Sequence, residues 1–199
     1  NSVATTLRVA MPCEFQHSGP MLAMLVEIGE HHFAFSDGAG NVYRLKKGSI
    51  ELVVSHVAAT AVARMQLQYI VDNNGAATLG SVADRPRETH ELCMLGAPLT
   101  AAFISTAGIC AIDRGPFWSL AVIGSDDVIT RPNVPNVVGV LPSRQEHPAQ
   151  LVALDEQRRA VLLLSGTDTL VIARTTAPIK TTTVGAGSQL IAWLTDGNQ

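Results

Sequence analysis

Aromatic and charged side chains are both scarce in this 199-residue chain, at 5% and 16% of the sequence. Low charge combined with 47% hydrophobic residues excludes a self-repelling disordered chain and leaves enough apolar material for a sizeable core. Clustered Lys and Arg are missing too. The net charge is −3, and the close basic pairs are Lys46-Lys47 (with Arg44 two residues before), Arg85 and Arg87, and Arg158-Arg159. Each of these pairs reads as a solvated turn, so no nucleic-acid partner is expected. No apolar run reaches the roughly 18 residues that span a bilayer, so no membrane insertion is expected either. Cys13, Cys93 and Cys110 stand far apart without a C-x-x-C pair, which favours reduced thiols in an intracellular, cytoplasmic protein. One disulfide with one free thiol stays open on that spacing. No secretory signal is visible, and Asn1-Ser2 in place of an initiating Met suggests a processed chain or a piece of a longer one. Helical periodicity is nearly absent; only 146–159 can be drawn as a helix, and Pro148 argues against it.

What the sequence does have is hairpins. Residues 33–45, FAFSDGAGNVYRL, read as a strand, an Asp-Gly turn and a returning strand, with aromatic and β-branched residues on both sides. Weaker copies recur at Asp72, at Asp113, more loosely at 165–168, and at Asp196. The first intervals are 35, 41 and 52 residues. Gly and Asn at these points accept the positive φ that a tight reversal demands.

The expected fold class is therefore all-β, a single domain over 1–199 made of small four-stranded antiparallel units. The first unit, 21–59, holds strands at 21–28, 33–36, 41–45 and 50–55. The second, 60–98, holds strands at 60–65, 69–72, 76–82 and 90–95. The third, 99–147, holds strands at 99–105, 109–112, 117–123 and 128–131. Residues 131–148 carry four of the ten prolines and read as an irregular connector. The fourth, 148–187, holds strands at 150–154, 161–164 and 169–175, with 179–184 as its outer strand. Residues 5–15 alternate apolar and polar side chains and are expected to form one strand. Residues 189–194 look like the start of another unit.

Units of about 40 residues, with Ser36-Asp37-Gly38 ahead of Val42-Tyr43-Arg44-Leu45, resemble the WD40-type β-propeller family over roughly 21–183. The resemblance implies a β-propeller, or part of one, whose blades are braced by an aspartate in the turn and a histidine that hydrogen-bonds to it. Carried over residue by residue, it makes His56 and Asp72 such a pair and Asp37 and Asp113 their counterparts. Leu45, Val82 and Ile123 stand where the family places Trp, and no Trp-Asp dipeptide occurs. Ring closure by pairing 5–15 with 189–197 would give about five blades; otherwise a longer chain or a partner completes the ring.

His56, Asp72 or Asp113, and Ser165 fall in the chain order of a chymotrypsin-like double-barrel protease, in which His deprotonates Ser and Asp orients His. The Gly-x-Ser-Gly-Gly context that shapes the oxyanion hole is absent around Ser165, so a protease or an inactive relative is the second reading. His31 and His32 are adjacent, and on a strand they face opposite sides, which excludes joint metal ligation. Gly38-Ala39-Gly40 and Gly185-Ala186-Gly187 precede strands, where a phosphate cradle precedes a helix. Asp126-Asp127 and Asp155-Glu156 read as solvated turns. Cys93, Cys110, Trp118 and Trp193 read as packing residues. No catalytic, cofactor or metal site is expected, and the functional expectation is a non-catalytic scaffold that binds other protein subunits within a larger assembly.

Overall fold

The computed structural model describes residues 4–9, 13–18, 22–84, 89–105, 108–122, 128–132, 134–142, 149–165, 168–184 and 191–195. Those residues form twenty strands and no helix, and the chain divides into two compact units, Asn1–Met94 and Leu95–Gln199. Each unit is built of two four-stranded antiparallel sheets and one hairpin.

The first unit begins with the hairpin β1 (Ala4–Val9) and β2 (Cys13–Ser18), in which Leu7 pairs with Phe15. Its first sheet follows in chain order as β3 (Leu22–Gly29), β4 (His32–Asp37), β5 (Val42–Lys46) and β6 (Ser49–Val54). Its second sheet is β7 (Ala59–Ala63), β8 (Gln66–Asn73), β9 (Ala76–Val82) and β10 (His90–Met94). Both are meanders of consecutive strands, the topology that local pairing favours. The two sheets pack through Ile28, Ala34 and Val42 from the first and Leu67, Tyr69 and Val82 from the second. On the other face of the first sheet, Phe35 stacks on its cross-strand partner Tyr43 with ring centroids 4.8 Å apart. Complete burial of Phe35 and Leu45 stabilises the hairpin by about 2 kcal/mol for each side chain.

The second unit contains the sheet β11 (Ala102–Ser105), β12 (Ile109–Asp113), β13 (Phe117–Val122) and β14 (Val128–Pro132). The next sheet is β15 (Val137–Pro142), β16 (Ala149–Leu154), β17 (Ala160–Ser165) and β18 (Asp168–Arg174). A final hairpin pairs β19 (Ile179–Val184) with β20 (Ile191–Thr195). Strand β16 is buried on both faces. Leu151 and Ala153 enter the core shared with Ile109, Ala111, Trp118 and Leu120, while Val152 and Leu154 pack with Ile179 and the side of the hairpin. Burial on two faces is what turns an alternating strand into a continuous apolar run. It also accounts for the alanine-rich composition, since small side chains keep stacked sheets close.

Three sequence expectations change. Residues 5–15 are not one strand but parts of two, β1 and β2. The connector expected over 131–148 contains β15, because the run Val137, Val138, Val140, Leu141 outweighs its prolines. Pro132 and Pro142 sit at the last positions of β14 and β15, where a missing N–H is tolerated. The fourth sheet consequently starts at Val137 and ends at Arg174, and β19, expected as its outer strand, pairs with β20 instead.

The outer strands share a device. In β6, β10 and β18 the register slips by one residue near the start of the third strand, opposite Val42/Tyr43, Ala77/Thr78 and Val161/Leu162. Such bulges twist an edge away from further pairing. The outer strand β14 keeps an unbroken register and ends in Pro132.

One close contact sets a tolerance limit in the first unit. Tyr69 lies across its cross-strand neighbour Gly80, and a Cβ at Gly80 would fall 2.2 Å from the ring. Gly80→Ala is expected to lower stability by roughly 2 kcal/mol in urea unfolding through overpacking. Adding Tyr69→Leu to that variant is expected to recover part of the loss.

Candidate functional site

The most developed polar constellation is the turn after β4. Backbone N–H groups that point into a reversal need an acceptor, and Asp37, itself only 4% exposed, supplies it. Its Oδ1 accepts from the N–H of Ala39 and of Asn41, both at 2.9 Å. Its Oδ2 accepts from Asn41 Nδ2 at 2.9 Å and from the Tyr43 hydroxyl at 3.2 Å. Burial pushes the Asp37 carboxyl up, but the hydrogen bonds from Asn41, Ala39 and Tyr43 outweigh it and hold the pKa below 3.8. Tyr43 is raised above 10.0, first by burial, then by the charge of Asp37 and the bond to it.

The same position recurs in every four-stranded sheet. Asp72 Oδ1 accepts from the Gly75 N–H, Asp113 Oδ1 from the Gly115 N–H, and Asp155 Oδ1 from the N–H groups of Arg159 and Ala160. All four aspartates sit at the turn between the second and third strands, spaced by 35, 41 and 42 residues. Asp155, expected to be merely solvated, is therefore the fourth member. Ser165 and Asp168, expected to flank the fourth copy of this turn, instead pair with each other at the facing ends of β17 and β18. A residue count of 42 from Asp113 was the available signal. Nothing in Asp155-Glu156-Gln157-Arg158 looks like an Asp-Gly turn, because Arg158 takes the positive-φ position at 56°.

These turns also receive the incoming linker of the next element. Val57 N–H donates to Gly40 O at 3.0 Å, and Gly40 combines a φ of 78° with space so tight that a Cβ would meet Val57 O at 3.0 Å. In the second unit, Ile179 N–H donates to Arg158 O at 2.7 Å and Thr175 N–H to Arg159 O at 2.8 Å. The Arg158 guanidinium reaches the carbonyls of Ile179 and Lys180, so this arginine is a tether and not the solvated turn residue expected. Thr100 Oγ1 donates to Asp113 Oδ2 at 3.2 Å, holding the segment that leads into β11.

The expected His56–Asp72 pair is not a hydrogen-bonded pair. His56 lies on the 55–58 linker with Nδ1 3.1 Å from Ser55 Oγ, and Asp72 spends its carboxylate on the Gly75 cap. Of the residues of the protease reading, His56 and Asp72 belong to the first unit and Asp113 and Ser165 to the second. The side chain of Ser165 lies outside what the structure describes, as do the pairs at Asp126-Asp127 and 185–187. His32 Nδ1 lies 2.8 Å from Asp84 Oδ1, while His31 is beside Glu30 at 3.9 Å, so the two histidines have separate partners. Among the described residues no group of three or more His, Cys, Asp or Glu is placed to hold a metal, and no helix is long and apolar enough to cross a membrane. Trp118 is buried against Phe103, whereas Trp193 is 40% exposed.

No protein-family model matches the chain, and no curated protein matches it. Among solved structures it is similar to the crystal structure of Kluyvelomyces marxianus Hsv2, a yeast β-propeller protein, at 12% identity and a TM-score of 0.44. The likeness covers 85% of this chain and 53% of that one, so the chain spans about half the length of that protein. The sheet topology, not this likeness, is the basis of the all-β fold.

The four caps differ in burial, and their removal should rank accordingly. Asp37→Ala leaves four donors without an acceptor and is expected to cost about 3 kcal/mol in urea unfolding, whereas exposed Asp72→Ala costs about 1 kcal/mol. Because the folded-state pKa of Asp37 is lowered, its contribution is complete above pH 3.8 and is lost as the pH falls below that value. Asp37→Asn is expected to flatten the acid limb of stability against pH, read as the urea midpoint across an acid titration.

Proposed function

We propose that the four sheets are blades of a β-propeller and that the protein is a non-catalytic interaction scaffold, working with other protein subunits in an intracellular, cytoplasmic assembly. One observation carries this reading: large apolar side chains lie in the open on the outermost strands. Leu52 of β6 is 56% exposed, Leu170 of β18 is 60% exposed, and Val53, Val171 and Ile172 stand beside them. Consecutive exposed apolar residues on a folded surface favour protein contact, with the aligned strands serving as a rigid platform. The polar groups that could have been reactive support the same reading, since the four turn aspartates are engaged as caps and tethers. The bulges in β6 and β18 work against strand addition, so a partner would approach side chains and not the open edge.

Leu52→Asp and Leu170→Asp, made separately, are expected to leave the urea midpoint within about 0.5 kcal/mol of the parent, because both sites are exposed. At least one of them is expected to remove a subset of the proteins that co-purify with the tagged chain from its native source. Hydrolysis of generic peptide or ester substrates that disappears on Ser165→Ala would overturn the scaffold reading.

A further inference from the structure

The turn between β8 and β9 carries Asn74-Gly75, the one Asn-Gly dipeptide in the sequence. An asparagine followed by glycine is the pair most open to cyclisation, because glycine puts no side chain in the way of its own nitrogen. Here Asn74 is exposed, and a Cβ built on Gly75 would meet nothing within 4 Å, so solvent and the reacting groups have free access. Two features oppose reaction. Asn74 and Gly75 are held at φ values of 55° and 86° in a two-residue reversal, and the Gly75 N–H is tied to Asp72 Oδ1 at 2.9 Å. The nitrogen that must attack is thereby engaged by a carboxylate.

We propose that Asn74-Gly75 is a deamidation site restrained by the Asp72 cap. In the step, the Gly75 nitrogen gives its proton to solvent base and forms a bond to Asn74 Cγ. The Nδ2 group takes a proton from solvent, the Cγ–Nδ2 bond breaks, ammonia leaves, and a five-membered succinimide remains. Water then adds to either ring carbonyl and opens the ring to aspartate or isoaspartate at position 74, with no change of oxidation state. Either product brings a second carboxylate next to Asp72. The isoaspartate also routes the main chain through the side-chain methylene, lengthening a turn whose strands hold the buried Leu67, Ile70, Ala77 and Leu79. The site would thus act as a slow, irreversible mark on the second sheet.

The test is incubation of the folded protein in mildly alkaline buffer, followed by peptide mapping with enzymatic isoaspartate labelling. Conversion confined to residue 74 is expected, with none in Asn74→Gln. Asp72→Ala is expected to speed conversion about tenfold, the factor of one charge-assisted hydrogen bond. An unchanged or slower rate in Asp72→Ala with its circular dichroism intact would overturn the role of the cap. Should that variant fail to fold, the native chain is compared with the same chain in urea. Faster conversion in urea is then expected, and equal rates overturn the proposal.

Discussion

Peptide N–H groups turned into a tight reversal and away from a strand ladder must find an acceptor, and in this protein a single carboxylate in each four-stranded sheet supplies it. Asp37, Asp72, Asp113 and Asp155 each occupy the turn from the second to the third strand. The second and third strands are the most buried of each sheet, so the turn fixes the register of the part that cannot slip without moving a core. Asp37 carries most because it is the most enclosed. Its two oxygens take four donors, and Tyr43, one of them, also stacks on Phe35. Polar capping and apolar packing therefore meet in the same hairpin, and a loss in either weakens the other.

How much of this could be read from the chain depended on how local its causes were. The hairpin at 33–45 was legible because Asp-Gly and the flanking β-branched and aromatic residues act within a few positions of each other. All four strands of the first sheet fall within a residue or two of their expected bounds for the same reason. The turn at Asp155 was legible, but its place in the repeat was hidden because Arg158 adopts the positive φ that Gly provides elsewhere, a choice sustained by its bonds to the carbonyls of Ile179 and Lys180. Those carbonyls lie some twenty residues on, and no local pattern announces them. β15 was obscured by prolines whose cost vanishes at strand ends. His56 was drawn to Asp72 by family resemblance, but the choice among hydrogen-bond partners is made by side-chain rotamers, which spacing does not encode.

The outer strands show a different compromise. Each presents an open edge, and three of the four four-stranded sheets answer with a one-residue bulge while β14 ends in proline. Guarding the edge leaves the side chains on the faces free to be apolar, as Leu52, Val53, Leu170 and Ile172 are. A surface can then be sticky toward a shaped partner without being a template for indiscriminate strand growth.

The linker bonds from Val57 to Gly40, Thr175 to Arg159 and Ile179 to Arg158 run from peptide group to peptide group. An interaction of that kind does not register the side chains of the residues that make it. Outside Gly40, which has no room for a Cβ, and Arg158, whose guanidinium is itself engaged, mutations can accumulate at such positions while the joint between one element and the next is retained. A chain joined this way can keep a structural period after its written period has decayed. The four aspartates would then be the last legible trace of a repeat that the main chain still obeys.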